Sequence, residues 1–249
     1  MGESEISRPV GEAFQEGTKY HPDRPVRSEG YAPVAERKTY PQAERTPLPA
    51  PVEEGGPDLW ETVRGRRSCR AYASTPLKLE DLSQVLWAGQ GVTARMGAYR
   101  FRAAPSAGAL YPCETYAAVR SVEGLSPGVY HYDVHEHALE ALRSGDVSGE
   151  VAAAACGQPF CAQAACVLIW TAVVPRCGAK YRQRAFRYIY LDAGHIAQNV
   201  ALAAVGLGLG TCQVAAFFDE EVNAVVGADG RMETAVYMTS VGVPKRGRG

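Results

Sequence analysis

Three short stretches of this sequence concentrate residues that can do chemistry. The first, KYRQRAFRYIY, gathers Lys180, Tyr181, Arg182, Arg184, Arg187, Tyr188 and Tyr190 in one run. Such a cluster either handles anionic or proton-transferring chemistry or is a solvated basic turn. The second, RRSCR, places Arg66, Arg67 and Arg70 around Ser68. Arginine donates bidentately, so these guanidinium groups and the hydroxyl suit a phosphate monoester; a surface basic cluster is the competing reading. The third is a tight turn of small residues, Pro105, Ser106, Ala107 and Gly108, running to Leu110. Small residues let a flat ligand lie against the backbone, and a purely structural turn explains them equally well.

Metal chemistry finds less support. His131, His135 and His137 follow an HxxxHxH spacing, and on a strand the last two would share a face, yet no nearby acidic or cysteine partner completes a ligand set. The seven cysteines form no disulfide framework, and Cys156, Cys161 and Cys166 are not spaced like zinc pairs, so they read as reduced core thiols.

The elements that must position these residues follow from periodicity. The stretch Lys180–Gly210 reads as one long buried helix: Ile189, Ile196, Val200, Ala203, Ala204 and Leu207 recur at steps of three, four and seven, and no proline interrupts them. Its small residues after Ala193 allow another backbone to approach, and Gly206, Gly208 and Gly210 should stop it. Leu59, Trp60 and Val63 make one face of a short helix capped by Asp58, and Leu79, Leu82, Val85, Leu86 and Trp87 face inward from a second, ended by Gly89 or Gly91. Strands are expected over ETYAAVR, in the pair GVYHYDVHEHALEAL with its turn near Asp133, over AACVLIWTAVV, in TCQVAAFF and in METAVYMTSVGVP before the basic tail Lys245, Arg246 and Arg248. SGEVAAAACGQPFCAQA and DEEVNAVV read as helices. Without regular βαβ alternation, these elements predict an α+β domain with a mostly antiparallel sheet.

Residues 1–57 are rich in proline and charge and show no sustained period. They read as an extended arm before a domain over 58–249, with Tyr20, Tyr31 and Tyr40 spaced to dock on a folded surface, across a second subunit by preference. The 249 residues suffice for a substantial core. With 26 Lys+Arg against 27 Asp+Glu the net charge is -1, which argues against a nucleic-acid partner. No apolar run reaches the roughly 18 residues that span a bilayer, and the polar N-terminus does not resemble a secretory signal, so no membrane partner and a cytoplasmic location are expected.

Taken in order, RRSCR, PSAGALYP, GVYHYDVHEHALEAL, the Lys180–Gly210 stretch and SVGVP resemble the SagB-type dehydrogenases of the nitroreductase superfamily, over Leu59 to Pro244. The resemblance implies a nitroreductase-like fold, an interlocked homodimer around the long helix, and FMN at two interface sites. By the same resemblance, Arg66 and Ser68 hold the ribityl phosphate and ring edge, with Arg67 and Arg70 beside them. Lys245 or Arg246 provides a second phosphate contact, Pro105, Ser106, Ala107 and Gly108 pass beside the isoalloxazine, and Gly208 and Gly210 form the loop that approaches the ring. Members that act on azolines carry a lysine-tyrosine pair just before the helix, here Lys180 and Tyr181. Azoline oxidation sends a hydride to flavin N5 while a proton leaves the neighbouring carbon, so a base near neutral pH is needed. A lysine beside Arg182 and Arg184 and partly desolvated would have its pKa lowered toward that range. The resemblance therefore implies oxidation of a thiazoline or oxazoline in a peptide; a nicotinamide-fed reductase of nitro compounds or quinones is the alternative, and a non-catalytic scaffold is a third reading. No fused cyclodehydratase or leader-binding domain is seen, which implies a separate protein to prepare the substrate. His195 reads as a hydrogen-bonded helix histidine or a flavin-facing one, and Gln198 and Asn199 as interface or helix-packing polar groups.

Overall fold

A computed structural model describes residues 9–22, 30–97 and 99–245. Its strands are β1 (Arg45–Pro47), β2 (Val92–Met96), β3 (Tyr99–Arg102), β4 (Cys113–Val119), β5 (Gly128–Asp133), β6 (Ala138–Ser144), β7 (Cys166–Val173), β8 (Gly210–Val214) and β9 (Glu233–Gly242). The helices are α1 (Val10–Gly17), α2 (Leu59–Gly65), α3 (Leu79–Gln90), α4 (Ser148–Ala154), α5 (Pro159–Gln163), α6 (Val174–Tyr181), α7 (Ala185–Gly206) and α8 (Asp219–Val226). Seven strands form one sheet in the order β1-β6-β5-β4-β7-β9-β8, antiparallel at every pairing.

The two-residue period of the central strand β7 sets the layers. Leu168 and Trp170 join the core under α3 and α7, whereas Val167 and Ile169 join the one under α4, α5 and α8. The fold is therefore the α+β, largely antiparallel arrangement that the patterning implied. Small residues bring α3 and α7 together: a Cβ on Gly89 would lie 3.0 Å from the Val200 side chain, and Asn199 Nδ2 donates to the Ala88 carbonyl at 3.1 Å.

Two local expectations, where the long helix begins and how the N-terminal stretch is built, need correcting, and two others gain detail. The long helix does not begin at Lys180: α6 ends at Tyr181, Arg182 turns the chain with φ 52° and ψ −132°, and α7 begins at Ala185. Of the expected stop glycines, Gly206 is the last helical residue, Gly208 takes a positive φ of 73° in the turn, and Gly210 already belongs to β8. On α2, Asp58 caps as expected by accepting from the Glu61 N–H, but Leu59, Trp60 and Val63 are exposed at 58, 75 and 48%. Their periodicity marks an apolar face without saying what it meets. Finally, the N-terminal stretch is not without structure, because it contributes α1 and the edge strand β1, and an unanticipated β2–β3 hairpin leads into the Pro105 turn.

The stretch from Tyr31 to Pro47 lies on its own chain, held by ion pairs. Arg37 Nη2 meets Asp133 at 2.5 Å, Lys38 Nζ meets Glu233 at 2.5 Å, and Arg45 Nη2 meets Glu140 at 2.6 Å. Beneath them His131, almost wholly buried, places Nδ1 2.9 Å from Glu140 and Nε2 3.0 Å from Glu114. Both carboxylates also take an arginine, Arg45 on Glu140 and Arg176 on Glu114, so both are ionised and the imidazole between them carries two protons. Burial works against each charge, yet the His131 bond and the Arg176, His131 and Arg102 charges hold Glu114 down at about 2, while the two carboxylates raise the His131 pKa. Two of the three histidines are thus absorbed by packing: besides His131, His137 bonds Ser83, Tyr132 and the Pro49 carbonyl, and among the described residues no group of His, Cys, Asp and Glu is placed to hold a metal. All seven cysteines are free.

Candidate functional site

The candidate residues assemble into two clusters tied to different points on α7. At its C-terminal end the RRSCR segment runs alongside β8: Ser68 bridges Thr211, and the Cys69 N–H donates to the Thr211 carbonyl at 2.8 Å. Tyr72 bridges Pro244, and the Lys245 N–H donates to Ala71 at 2.9 Å, which brings Lys245 to the same rim. Gly210 sits so close that a Cβ there would lie 2.7 Å from both Cβ and Sγ of Cys69. Arg67, Ser68, Arg70 and Lys245 are exposed and Arg66 is partly so. Among the described residues no carboxylate pairs with Arg66 or Arg70, and Arg67 donates only to the backbone carbonyls of Arg64 and Arg66. Unneutralised guanidinium groups beside a glycine-lined backbone fit a phosphate. Arg246 lies outside the described residues.

The second cluster forms about one-third of the way along α7. Asp192, 4% exposed, accepts the Ser106 hydroxyl at 2.5 Å and the Ala107 N–H at 3.3 Å, and Ser106 Oγ in turn accepts the Tyr111 N–H at 2.9 Å. These bonds shape the turn Pro105–Gly108, in which Gly108 has φ 66°. A Cβ on Gly108 would lie 2.6 Å from the Tyr181 hydroxyl and 2.8 Å from Lys180 Nζ. Glycine is therefore required twice over, by its backbone angle and by the two polar atoms that converge on it. Burial raises the Asp192 pKa against the pull of the Ser106 and Ala107 bonds. Lys180 is exposed, so the desolvation expected of it is not supplied within this chain. Arg184 lies over the rings of Tyr20 and Tyr188 rather than beside the amine.

Pro105, Ser106, Ala107 and Gly108 are thus brought together with Lys180 and Tyr181, and Arg66, Arg67, Ser68 and Arg70 with Gly208, Gly210 and Lys245. The two sets do not meet: from Asp192 to Gly206 is roughly 20 Å of helix at 1.5 Å per residue.

The nitroreductase family profile matches residues 63–243, which take in both clusters except Lys245. This chain belongs to the nitroreductase family. MJ1384 of Methanocaldococcus jannaschii, which is named as a nitroreductase, is 45% identical over 168 residues, 68% of this chain and 83% of its own length. The trifolitoxin-processing protein TfxB of Rhizobium leguminosarum bv. trifolii is 32% identical over 149 residues, 56% of this chain but only 39% of TfxB. A solved Anabaena variabilis structure, also named as a nitroreductase, superposes with TM-score 0.79 at 28% identity, covering 94% of this chain and 47% of that one. The protein is accordingly an oxidoreductase of a family that is typically FMN-dependent.

Two residues that shape the candidate site escaped the sequence reading. Asp192 stood in a run read for its helical period, with its partner Ser106 86 positions away. Arg176 stood between a strand and the charged run. A buried acid or base inside an apolar stretch is the signal that would have found both. His195 is exposed on α7.

Proposed function

We propose that this protein is an FMN-dependent dehydrogenase of the SagB type that oxidises a thiazoline, oxazoline or related heterocycle in a peptide to the aromatic azole. The observation that carries the reading is the convergence of Lys180 Nζ and the Tyr181 hydroxyl on Gly108 of the small-residue turn. Arg66, Ser68, Arg70 and Lys245 would hold the flavin phosphate, with Arg67 alongside, and Gly208 and Gly210 would let the backbone approach. Bound there, FMN would supply a two-electron acceptor for the hydride, with oxygen as the terminal oxidant. Lys180 takes the proton that leaves the neighbouring carbon, and the Tyr181 hydroxyl orients the ring or passes that proton on. The likeness to a protein named for trifolitoxin processing supports a peptide substrate, and a separate cyclodehydratase would then supply the azoline.

The reading includes a cytoplasmic homodimer. Among the described residues no helix is long and apolar enough to cross a membrane. The exposed Leu59, Trp60 and Val63 on α2, with Leu207 at the end of α7, leave an apolar face, and Leu59 and Leu207 both line a cleft of about 500 Å³. A second copy packed along α7 would cover that face, partly desolvate Lys180 and complete the separated clusters.

MJ1384 favours a second reading, a nicotinamide-fed nitro or quinone reductase. Anaerobic bleaching of the flavin absorbance separates the two. Rapid bleaching by an azoline peptide, lost in Lys180→Ala, is expected; rapid bleaching by NADH or NADPH that is unchanged in Lys180→Ala would overturn the dehydrogenase reading.

A further inference from the structure

The Lys180–Tyr181 pair ends a short helix, and the chain behind it turns away at Arg182, so continuity with α7 does not aim it. Two buried charges stand where such aiming is needed. Arg176, 7% exposed, lies one helical turn before Lys180 on the same face of α6. Its guanidinium meets Glu114 of β4 at 2.6 Å, the Ala35 carbonyl at 2.9 Å and the Tyr111 carbonyl at 3.4 Å. Tyr111 closes the turn that Asp192 holds from the other side through Ser106 and Ala107. Both arms of the contact with Gly108 are therefore fixed by an ion that touches neither Lys180 nor Tyr181. Buried charges cost desolvation, and charge-assisted bonds repay it with direction.

We infer that Arg176 and Asp192 are positioning residues that form a two-sided clamp, Arg176 holding the helix and Asp192 the turn, and so set the register between the Lys180–Tyr181 pair and Gly108. The inference rests on the proposed role of that pair. Unlike the two clusters themselves, the clamp reaches into the rest of the molecule, because Arg176 also fastens the N-terminal stretch at Ala35 and shares Glu114 with His131.

The test uses the full-length holoenzyme with Arg176→Lys, Asp192→Asn and the milder Ser106→Ala, and Arg143→Ala on the far surface as control. Two readouts are taken: turnover, and the rate of Lys180 acetylation by acetic anhydride relative to exposed Lys78 across pH. The clamp variants should lower kcat by about 100-fold, the scale of a 1 Å misplacement, with KM and flavin content held. The relative Lys180 labelling profile should shift several-fold in the same variants and not in Arg143→Ala. Unchanged labelling in all three clamp variants, or a loss of kcat that only follows lost folding or flavin, would overturn the clamp. If the wild type oxidises no azoline, the dehydrogenase reading fails while labelling still decides the clamp. Should the two charge variants not fold, Ser106→Ala decides alone, since it removes the one hydroxyl that donates to Asp192 and accepts the Tyr111 N–H, and so releases the turn from Asp192 without touching a buried charge.

Discussion

Two arginine-rich stretches that look alike in the sequence behave oppositely in the fold. In RKTYPQAER, Arg37 and Arg45 end on the buried carboxylates Asp133 and Glu140, and Arg176 joins the same network through Glu114. In RRSCR, Arg66, Arg67 and Arg70 stand at a rim with no carboxylate partner among the described residues, against a backbone too close for a Cβ at Gly210. Paired charge in the first region is structure; unpaired charge in the second is capacity for an anionic ligand. Desolvation explains the division, because a buried ion without a partner is costly and an exposed one is not.

The largest effect should come from opening the paired region. Glu114→Ala leaves His131 and Arg176 buried with one carboxylate fewer, and urea unfolding should register a loss of about 3–5 kcal/mol. A wild-type midpoint would break the contrast. The same network should give stability a pH dome. Glu114 is depressed to about 2, so its contribution is present above its ordinary value and is lost as pH falls from about 4.5 to 2, about 3 kcal/mol in all. His131 is raised, so its contribution is full below about 6.5 and is lost as pH rises through the folded value. Unfolding midpoints across pH should show both flanks, with the acid one flattened in Glu114→Gln.

The unpaired region should respond the other way round. Arg66→Ala or Arg70→Ala should weaken FMN binding by about 1.5–3 kcal/mol, tenfold or more in Kd, read by quenching of flavin fluorescence. Thermal unfolding of the flavin-free protein should move by no more than about 0.5 kcal/mol. A large stability loss there would show that these arginines are structural after all. Smallest of all is Arg143→Ala, which removes a bidentate but exposed pair with Glu150 and should leave the same unfolding measurement essentially unmoved.

How far the sequence could be read follows the same line. Strands β4 to β9 were legible because period and burial are local properties, and the RRSCR, PSAG and Lys180–Tyr181 segments could be singled out as candidates because their residue types stand side by side in the sequence. β1 was not, since three residues containing a proline carry no pattern, and its pairing with β6 is decided by ion pairs some ninety positions away. The break at Arg182 was hidden because RQR holds neither glycine nor proline. The face of α2 was read correctly as apolar, but what covers it was not legible, for an amphipathic pattern does not reveal whether its partner lies in the same chain.

The covered rims of the sheet bear on how the protein keeps from sticking to itself. On one side β1 lies along β6 and presents Pro47, which has no N–H to offer an incoming strand; on the other, Ser68 and Cys69 lie along β8. Neither rim is a bare template, but each cover is a different kind of guard. Proteolytic nicking that released residues 30–47 would uncover β6 and seed strand-to-strand aggregation. The β8 guard is the segment proposed to hold the flavin phosphate, so retention of the flavin would double as protection against misassembly.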